Sequence, residues 1–254
     1  MLMQVLSPAG SLLRNIRCGR AVAALVLVLV VALPWVLLPQ KSRGRRPLEK
    51  FAWMVLLSGF GVRIKTFGTP DKGFPLFAAN HVSWLDVAVL GHAVDAPFIA
   101  KAEVSEWPVI GLLARRYGCK FIDRKRRSTL PKSGQVEDQF RPLILFPEGT
   151  TSAGPGVLPF RSSLFAIATD RSGGRVQPIS IVYRRQDFTA LTSAEMQKIA
   201  WTGDDALLPH AMALAAAGGV AVEIYFELPF SADCRKAAAS RSQQAIAARL
   251  DALL

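Results

Sequence analysis

The chain has 254 residues, enough for one large domain and a small appendage. Hydrophobic residues make up 51% of it and its mean hydropathy is +0.27, more than a soluble enzyme usually needs, so part of the chain is expected in lipid or in an unusually large core. The formal net charge of +12 predicts an anionic partner, a requirement that nucleic acid, anionic lipid and an acidic carrier protein all meet.

An apolar segment near the N-terminus predicts a membrane-associated helix. Residues Ala21 to Leu38 contain no charged or strongly polar side chain, and their helix would extend about 27 Å against a hydrocarbon core of ~30 Å. A signal peptide is disfavoured because basic residues between Lys41 and Lys50 follow the segment, without a small-x-small cleavage pattern. The same basic residues favour a cytoplasmic location for the rest of the chain.

A second apolar run, from Phe51 to Val62, is too short to span a bilayer and predicts an interfacial or buried helix. Two arrangements stay open: a helical pair that dips into one leaflet, or one spanning helix beside one surface helix. In either arrangement we assign residues 1–66 to a basic N-terminal region with membrane-associated helices and residues 67–254 to a second domain.

The second domain alternates strands and helices, which predicts an α/β fold with a mixed, mostly parallel sheet flanked by helices. Apolar runs of strand length occur at Pro75–Ala79, Pro97–Ala100, Cys119–Ile122, Leu143–Phe146, Val176–Val182 and Val220–Phe226. Helical spacing is found at Glu106–Tyr117, Ser128–Phe140, Ser163–Arg171, Asp204–Ala217 and Ile246–Leu254.

His81 and Asp86 follow the first of these strands, in the sequence Asn80-His-Val-Ser-Trp-Leu-Asp86. They can meet if His81 lies on the loop after the strand and Asp86 in the first turn of the next helix, where Ser83 and Asp86 have the spacing of a capping box. A carboxylate on one imidazole nitrogen leaves the other nitrogen free to take a proton. The alternative interpretation is a helix cap beside a loop histidine that moves no proton.

A second polar cluster, Phe121-Ile-Asp-Arg124, opens a strongly basic stretch. Arg124 follows a short predicted strand directly, so the sheet would place its guanidinium for bidentate binding of a phosphate. For the surrounding cations the simpler interpretation is a solvated loop or a patch that contacts the membrane.

A third cluster, Phe146-Pro-Glu-Gly-Thr150, follows the predicted strand that ends at Phe146. Its proline and glycine predict a sharp turn at the carboxyl edge of the sheet, where α/β proteins usually bind ligands. Glu148 would be held on that rim, and Arg161 is close enough in sequence to face the same cleft. The simpler alternative for Glu148 is an ion pair with a nearby arginine.

In order and spacing these segments, together with Val176-Gln-Pro-Ile179, resemble the four motif blocks of the glycerophospholipid acyltransferase family, which includes the 1-acylglycerol-3-phosphate acyltransferases. The resemblance covers roughly residues 75–185, and its specific parts are Asn80-His-x4-Asp86 and Phe146-Pro-Glu-Gly149. It implies that His81 is the general base and Asp86 its orienting partner. It also implies that Arg124 binds the head group of the acceptor and that the acceptor site includes Glu148, Gly149 and Thr150.

The resemblance implies an O-acyltransferase that moves a fatty acyl group from acyl-CoA or acyl carrier protein to the hydroxyl of a lysolipid at the inner membrane. The acceptor expected first is 1-acylglycerol-3-phosphate. Thr151, however, stands where the family commonly has the arginine of a Gly-Thr-Arg-Ser block. In this respect the chain is similar to relatives that acylate lyso-ornithine lipids, which carry no phosphate, and that acceptor stays an alternative.

Two other classes of function remain: a membrane-bound serine lipid hydrolase that uses Ser83 or Ser152, and a basic membrane adaptor without activity. Neither serine lies in a Gly-x-Ser-x-Gly elbow, and an adaptor does not explain acidic residues placed after strands. Nucleic-acid binding is disfavoured because the cations lie beside an apolar anchor. We expect no metal and no cofactor besides the thioester donor, since Cys18, Cys119 and Cys234 are scattered and lack metal-ligand spacing.

Overall fold

The computed structural model describes residues 8–39, 42–73, 75–122, 142–152, 156–170, 173–202 and 205–254, in which helices and strands alternate. The helices are α1 (Pro8–Leu37), α2 (Arg45–Gly59), α3 (Leu85–Ala93), α4 (Pro108–Tyr117), α5 (Ala166–Thr169), α6 (Ser193–Ile199), α7 (Leu207–Ala217) and α8 (Arg235–Leu253). The strands are β1 (Arg63–Phe67), β2 (Leu76–Ala79), β3 (Ile99–Lys101), β4 (Lys120–Ile122), β5 (Leu143–Leu145), β6 (Arg175–Arg184), β7 (Ala221–Phe226) and β8 (Phe230–Ser231). Short 3₁₀ helices cover Ala102–Glu106 and Ser162–Phe165.

The main sheet has the strand order β1-β7-β6-β2-β5, and the short β8 pairs with one end of β6. Strand β2 runs parallel to both of its neighbours, β6 and β5, and β1 runs parallel to β7, whereas β6 and β7 are antiparallel. Strands β3 and β4 form a small parallel pair, and a bridge between Phe98 and Ile144 joins this pair to the main sheet. The predicted α/β fold with a mixed, mostly parallel sheet is therefore confirmed.

Helices cover both faces of the sheet. Because of this, the long strand β6 has apolar side chains on both of its sides. Ile179, Ile181 and Tyr183 point to the face that is covered by α2, α3 and α7. Val176 and Val182 point to the opposite face, where α8 packs. Each face has its own hydrophobic core, so the central strands are buried and predictable as apolar runs.

Differences from the sequence predictions fall where apolar signals are weak. Strand β1 is a mostly exposed edge strand without an apolar run, and the predicted boundary between residues 66 and 67 falls within it. Helix α6 begins with a polar capping box formed by Thr192 and Glu195. Helix α7 begins at Leu207, which places Pro209 in its first turn, where proline is tolerated. The helix predicted at Ser128–Phe140 lies outside the described residues.

Helix α1 is long and apolar enough to cross a membrane over Gly10–Leu37, and it packs against α2 and α7. The contact with α2 is close because Gly59 faces Ala24: a Cβ atom on Gly59 would lie 2.1 Å from the Ala24 Cβ. Ala21 is fully buried and shares a small cluster with Phe60 and Ala215. Small residues therefore set the distance between the two N-terminal helices.

Arginines of α1 bind the carboxyl ends of the helices beside it. Arg17 donates hydrogen bonds to the carbonyls of Ala216 (3.3 Å) and Ala217 (3.4 Å), at the end of α7. Arg20 donates to the carbonyl of Gly59 (3.1 Å), at the end of α2. The last carbonyls of a helix have no partner within the helix and carry partial negative charge, so guanidinium groups satisfy them well.

The carboxyl end of α1 is held in the same way from the other side. Arg45, which is buried, donates to the carbonyls of Trp35 (3.4 Å) and Leu38 (3.2 Å) and stacks on the Trp35 ring. Arg116 of α4 donates to the carbonyls of Val36 and Leu38. Burial lowers the pKa of Arg45 from its usual value, while the nearby Glu49 opposes that shift. Helix α1 is thus fixed to one folded domain at Arg17 and Arg20 and again at its carboxyl end.

The close contact of α1 and α2 gives a matched pair of variants. Gly59→Ala forces two Cβ atoms into overlap and should destabilise the protein by about 1–3 kcal/mol. Gly19→Ala, the same change in α1 at a site with no atom within 4 Å, should leave stability unchanged or raise it by up to about 1 kcal/mol, because alanine favours helix. Thermal unfolding midpoints in detergent would test this, and equal midpoints for the two variants would refute the packing.

Candidate active site

The carboxylate of Asp86 is fully buried in the first turn of α3 and folds the preceding loop over the start of the helix. Its Oδ2 atom accepts hydrogen bonds from the backbone N–H groups of Val82 (2.7 Å) and Ser83 (2.9 Å) and from Nδ1 of His81 (2.9 Å). The two side chains therefore meet in the way that the loop-then-helix prediction required. The predicted reciprocal capping box is wrong in one half, because the Asp86 N–H donates to the Ser83 carbonyl and not to its hydroxyl.

Tyr183 of β6 provides the fourth hydrogen bond to this carboxylate, from its hydroxyl to Oδ1 of Asp86 at 2.6 Å. Burial, and then the negative charge of Asp86, raise the pKa of Tyr183 well above its usual value. The tyrosine therefore keeps its proton and acts as a donor. Four donors surround the carboxylate, three on Oδ2 and one on Oδ1, so Asp86 is fixed in one orientation.

The imidazole of His81 is fixed on its flat face as well as at Nδ1. It stacks on the ring of Phe146, with the ring centres 3.9 Å apart and the planes inclined by 14°. Because Nδ1 lies against a carboxylate, the neutral ring carries its proton there, which leaves Nε2 as the acceptor. Among the described residues Nε2 has no hydrogen-bond partner, and the side chain keeps 16% of its surface exposed.

Glu148 holds the backbone of His81 from the other side. Its Oε1 atom accepts the N–H of His81 at 2.7 Å, and its Oε2 atom accepts the N–H of Leu158 at 2.9 Å. Ser152 adds a backbone hydrogen bond from its N–H to the His81 carbonyl at 2.9 Å. Burial raises the pKa of Glu148 above its usual value, although both backbone donors oppose the shift. Glu148 follows β5 as predicted, but its carboxylate turns inward and not to the rim.

The other predicted site residues lie around this turn. Gly149 is buried and has a φ angle of +76°, a conformation that suits glycine. Thr150 is exposed beside it. Arg161 is exposed, and its N–H donates to the carbonyl of Pro147 at 3.0 Å, which brings residue 161 back to the turn. Arg124 lies outside the described residues.

Two residues that support the loop were given no role from the sequence: Asn80, which was named only as part of its motif block, and Tyr183, which was not named. Asn80 pairs its side-chain amide with both backbone groups of Ile181, at 3.0 and 2.8 Å, so it fastens the end of β2 to β6. Tyr183 reaches Asp86 from the same strand. A tyrosine on a strand face that is otherwise aliphatic is the one sequence signal that pointed to a buried polar contact, because a buried tyrosine hydroxyl needs a partner.

The segment between α6 and α7 is attached to the same loops. The N–H of Trp201 donates to the Val82 carbonyl at 3.0 Å. The hydroxyl of Thr151 donates to the Trp201 carbonyl. Thr151, which occupies the arginine position of the family block, therefore ties the Glu148 turn to Trp201.

His210 is a structural residue in this region. Its Nδ1 atom accepts a hydrogen bond from the Trp84 indole N–H at 3.1 Å, and its Nε2 atom lies 3.1 Å from the Ala200 carbonyl. Both ring nitrogens are occupied, and the ring joins the start of α3 to the segment that carries Trp201. Unlike His81, it has no nitrogen free to take a proton.

The geometry defines a class of site: an imidazole, oriented by a buried carboxylate, lies at the carboxyl edge of a mixed sheet in a domain that also holds the two N-terminal helices. An imidazole held in this way can accept a proton from a hydroxyl that belongs to a substrate. The family model described as Acyltransferase matches residues 65–182. The computed structure also resembles the crystal structure of the 1-acyl-sn-glycerophosphate acyltransferase PlsC from Thermotoga maritima, with a TM-score of 0.62, 20% identity and coverage of 94% of this chain and 97% of that one.

Curated relatives extend the match along the chain. The Lyso-ornithine lipid O-acyltransferase of Brucella abortus is 34% identical over 256 residues, which cover 94% of this chain and 96% of the relative. That of Pseudomonas aeruginosa is 31% identical and covers 91% of each. The 1-acyl-sn-glycerol-3-phosphate acyltransferase of Neisseria meningitidis is 35% identical over 150 residues, or 56% of this chain and 57% of the relative. The chain therefore belongs to the acyltransferase family that includes the lyso-ornithine lipid O-acyltransferases and the 1-acyl-sn-glycerol-3-phosphate acyltransferases, and it is an acyltransferase.

Removing the Tyr183 hydroxyl tests whether its hydrogen bond to Asp86 affects the imidazole of His81. Tyr183→Phe keeps the ring and removes one of four donors to Asp86, so kcat should fall by about three- to tenfold with KM nearly unchanged. A carboxylate with fewer donors stabilises imidazolium more strongly, so the acid limb of the pH–rate profile should move to higher pH. Tyr225→Phe, which removes a 3.2 Å bond to Glu223 elsewhere on the sheet, is the control. An unmoved acid limb in Tyr183→Phe would show that the tyrosine serves only the fold.

Proposed function

We propose that the protein transfers a fatty acyl group from an acyl thioester to the free hydroxyl of a lysolipid, with His81 as the general base. The observation that carries this proposal is the pairing of Nδ1 of His81 with a buried, fully bonded Asp86 while Nε2 stays without a partner among the described residues. A base placed in this way needs a proton donor from outside the protein. A lipid hydroxyl is such a donor.

In the proposed reaction the lysolipid oxygen attacks the thioester carbonyl as Nε2 of His81 takes the hydroxyl proton. Asp86 stabilises the imidazolium that forms, without taking the proton itself. The tetrahedral oxyanion is stabilised by backbone N–H groups near the site and then collapses. The carbon–sulfur bond breaks, and the thiolate that leaves takes the proton from His81. The thioester is a co-substrate, either acyl-CoA or acyl carrier protein, and the proposal needs no metal or other cofactor.

For the acceptor we favour a lyso-ornithine lipid. Relatives with that name match between 73% and 94% of this chain, and relatives named for 1-acyl-sn-glycerol-3-phosphate match about half of it. In addition, Thr151 replaces the arginine of the family block and is occupied with Trp201, so this position offers no cation to a phosphate. The second candidate is 1-acylglycerol-3-phosphate, which the names of the Neisseria relatives favour.

The proposed location is the cytoplasmic face of the inner membrane, with α1 lying in one leaflet. Arg20 and Val36 are separated by about 24 Å of helix. Near Arg20, α1 contacts the ends of α2 and α7, and near Val36 it contacts Arg45 and Arg116. A bilayer crossed by α1 would separate two sets of contacts that are made to the same domain. Its exposed apolar side chains fall mostly on one half of the helix, the half that would face the acyl chains.

The serine hydrolase alternative loses support in the structure. Ser83 is fully buried, so its hydroxyl has no path to a lipid. Ser152 lies with its side chain against Glu148 and bonds His81 through its backbone N–H. A nucleophile supplied by the substrate therefore agrees better with this geometry than a nucleophile supplied by the protein.

The base assignment predicts the effect of removing the imidazole. His81→Ala should lower acyl transfer by about 10²–10⁴-fold, the usual contribution of a general base, while the protein stays membrane-associated. His92→Ala, at the exposed end of α3, should leave transfer unchanged. Thiol release from the donor would be measured in detergent. Transfer by His81→Ala at more than a small fraction of the wild-type rate would contradict the assignment.

The acceptor proposal predicts an order of substrates. With one acyl thioester, purified protein should use lyso-ornithine lipid at least about tenfold better than 1-acylglycerol-3-phosphate, measured as kcat/KM. Thr151→Arg should shift this ratio toward the phosphate-bearing acceptor, because it adds a cation at the turn. Thr151→Val, which removes the hydroxyl without adding charge, should not shift it. A wild-type preference for 1-acylglycerol-3-phosphate would overturn the proposal in favour of the second candidate.

A further inference from the structure

Helix α4 presents apolar side chains to the outside of the catalytic domain, although it is not one of the two N-terminal helices. Its exposed apolar residues lie at its start and within its first two turns: Trp107 (39% exposed), Val109 (53%), Ile110 (42%) and Leu112 (43%). The opposite side of the helix is closed by Gly111, where a Cβ atom would lie 2.3 Å from the Ser105 carbonyl oxygen. Gly111 therefore packs against the rest of the domain, and the larger apolar side chains of α4 are exposed on its outside.

The exposed apolar residues of α4, called the apolar stripe below, lead to the carboxyl end of α1 through Val109 and Leu112. Val109, Leu112 and Arg116 are spaced by three and four residues, so they follow one another along one side of the helix. Arg116 donates hydrogen bonds to the carbonyls of α1 at Val36 and Leu38. The apolar stripe thus runs directly to the end of α1 that carries the exposed side chains Leu33 and Leu37.

The carboxyl end of α4 is also close to the catalytic base. A series of stacked rings runs from His81 to Phe146, from Phe146 to Phe98 and from Phe98 to Tyr117, with ring centres 3.9, 6.1 and 6.4 Å apart. Tyr117 is the last residue of α4 and makes an edge contact with Trp53 of α2 at 6.1 Å. A surface that holds α4 would consequently lie on the side of the domain that these rings connect to His81.

We propose that α4 is a third membrane-contacting element, which inserts Trp107, Val109, Ile110 and Leu112 into the acyl region of a bilayer and so brings the mouth of the active site to the lipid surface. The inference rests on the proposed membrane location of α1, whose apolar surface the stripe continues. Contiguous exposed apolar side chains mark such contacts, and tryptophan favours the boundary between water and acyl chains.

Charged residues at both ends of the exposed apolar surface of α4 limit how deeply it can insert. Glu103 and Glu106 are exposed in the 3₁₀ turn before Trp107, where the apolar stripe begins. Arg115 and Arg116 come after it in the last turn of α4. Arg116 is engaged with the carbonyls of α1, and Arg115 donates to the Ser105 carbonyl. Of the two, the exposed Arg115 is the one whose remaining N–H groups can reach a lipid phosphate.

Quenching of Trp107 fluorescence tests the contact directly. Of the five tryptophans, all of which the structure describes, Trp107 is the most exposed. The full chain would be placed in vesicles of phosphatidylethanolamine and phosphatidylglycerol with or without brominated acyl chains. If α4 inserts, brominated lipid quenches the wild type clearly more than Trp107→Phe. Equal quenching of the two proteins overturns the proposal, as does quenching by a water-soluble quencher alone.

A second comparison links the contact to turnover. Val109→Glu with Ile110→Glu should lower acyl transfer to lysolipid in vesicles by at least about threefold and leave transfer in mixed detergent micelles unchanged, because charge in the apolar stripe opposes insertion. Leu228→Glu, at an apolar side chain that is 86% exposed on the β7–β8 turn, is the control and should change neither rate. An equal loss in vesicles and micelles, or no loss in vesicles, overturns the proposal.

The two comparisons separate this inference from the proposed reaction. If the wild type acylates no lysolipid in either format, the proposed function fails, and the quenching comparison still decides whether α4 enters the bilayer. If transfer proceeds and Trp107 is not quenched by brominated lipid, the reaction stands and the role of α4 falls. A second copy of the chain or a soluble protein on α4 would give that second result.

Discussion

The active site depends on one buried carboxylate. Asp86 has no contact with water, and a charge in that position would be strongly unfavourable without donors around it. Its four hydrogen bonds come from two parts of the chain: the loop residues His81, Val82 and Ser83, and Tyr183 on β6. Satisfying this charge therefore orients the imidazole of His81 and joins the start of α3 to the sheet in a single arrangement.

The position of β2 explains why this arrangement is well supported. Strand β2 lies between β6 and β5 and runs parallel to both, so its loop leaves the sheet beside the carboxyl end of β5 and against β6. Strand β6 provides the backbone partner of Asn80 and the hydroxyl of Tyr183. The turn after β5 provides the stacking ring of Phe146 and the carboxylate of Glu148. The histidine loop is consequently held from two sides, which restricts the ring before any substrate arrives.

The sequence predicts the parts of this structure that have a local signal. Strands β2, β5, β6 and β7 read as apolar runs because helices cover both of their faces, and the His81–Asp86 spacing required a loop followed by a first helical turn. The bond from Tyr183 joins residues 97 positions apart, and it depends on the register of β6 against β2, which no single segment encodes. Glu148 was placed after the correct strand, but only the packing around Leu158 turns its carboxylate inward.

Periodicity has a similar limit in helix α4. Helical spacing over Glu106–Tyr117 predicts α4 and, through Trp107, Ile110, Leu113 and Ala114, one apolar side of it; the structure forms this helix over Pro108–Tyr117. Whether that side meets the core or the outside depends on where Gly111 packs, and the glycine, not the larger apolar residues, faces the neighbouring turn. An amphipathic pattern therefore predicts that a helix has an apolar surface. It does not predict what that surface packs against, because that depends on the tertiary structure.

The arginine contacts of α1 have a consequence for handling the protein. Removing the first sixty residues would uncover Ala211 and Ala215, which pack on Ala21 and Phe60, and would leave the carbonyls at the end of α7 without the guanidinium of Arg17. The apolar N-terminal segment is thus an integral part of the folded domain, and its removal would not give a water-soluble enzyme.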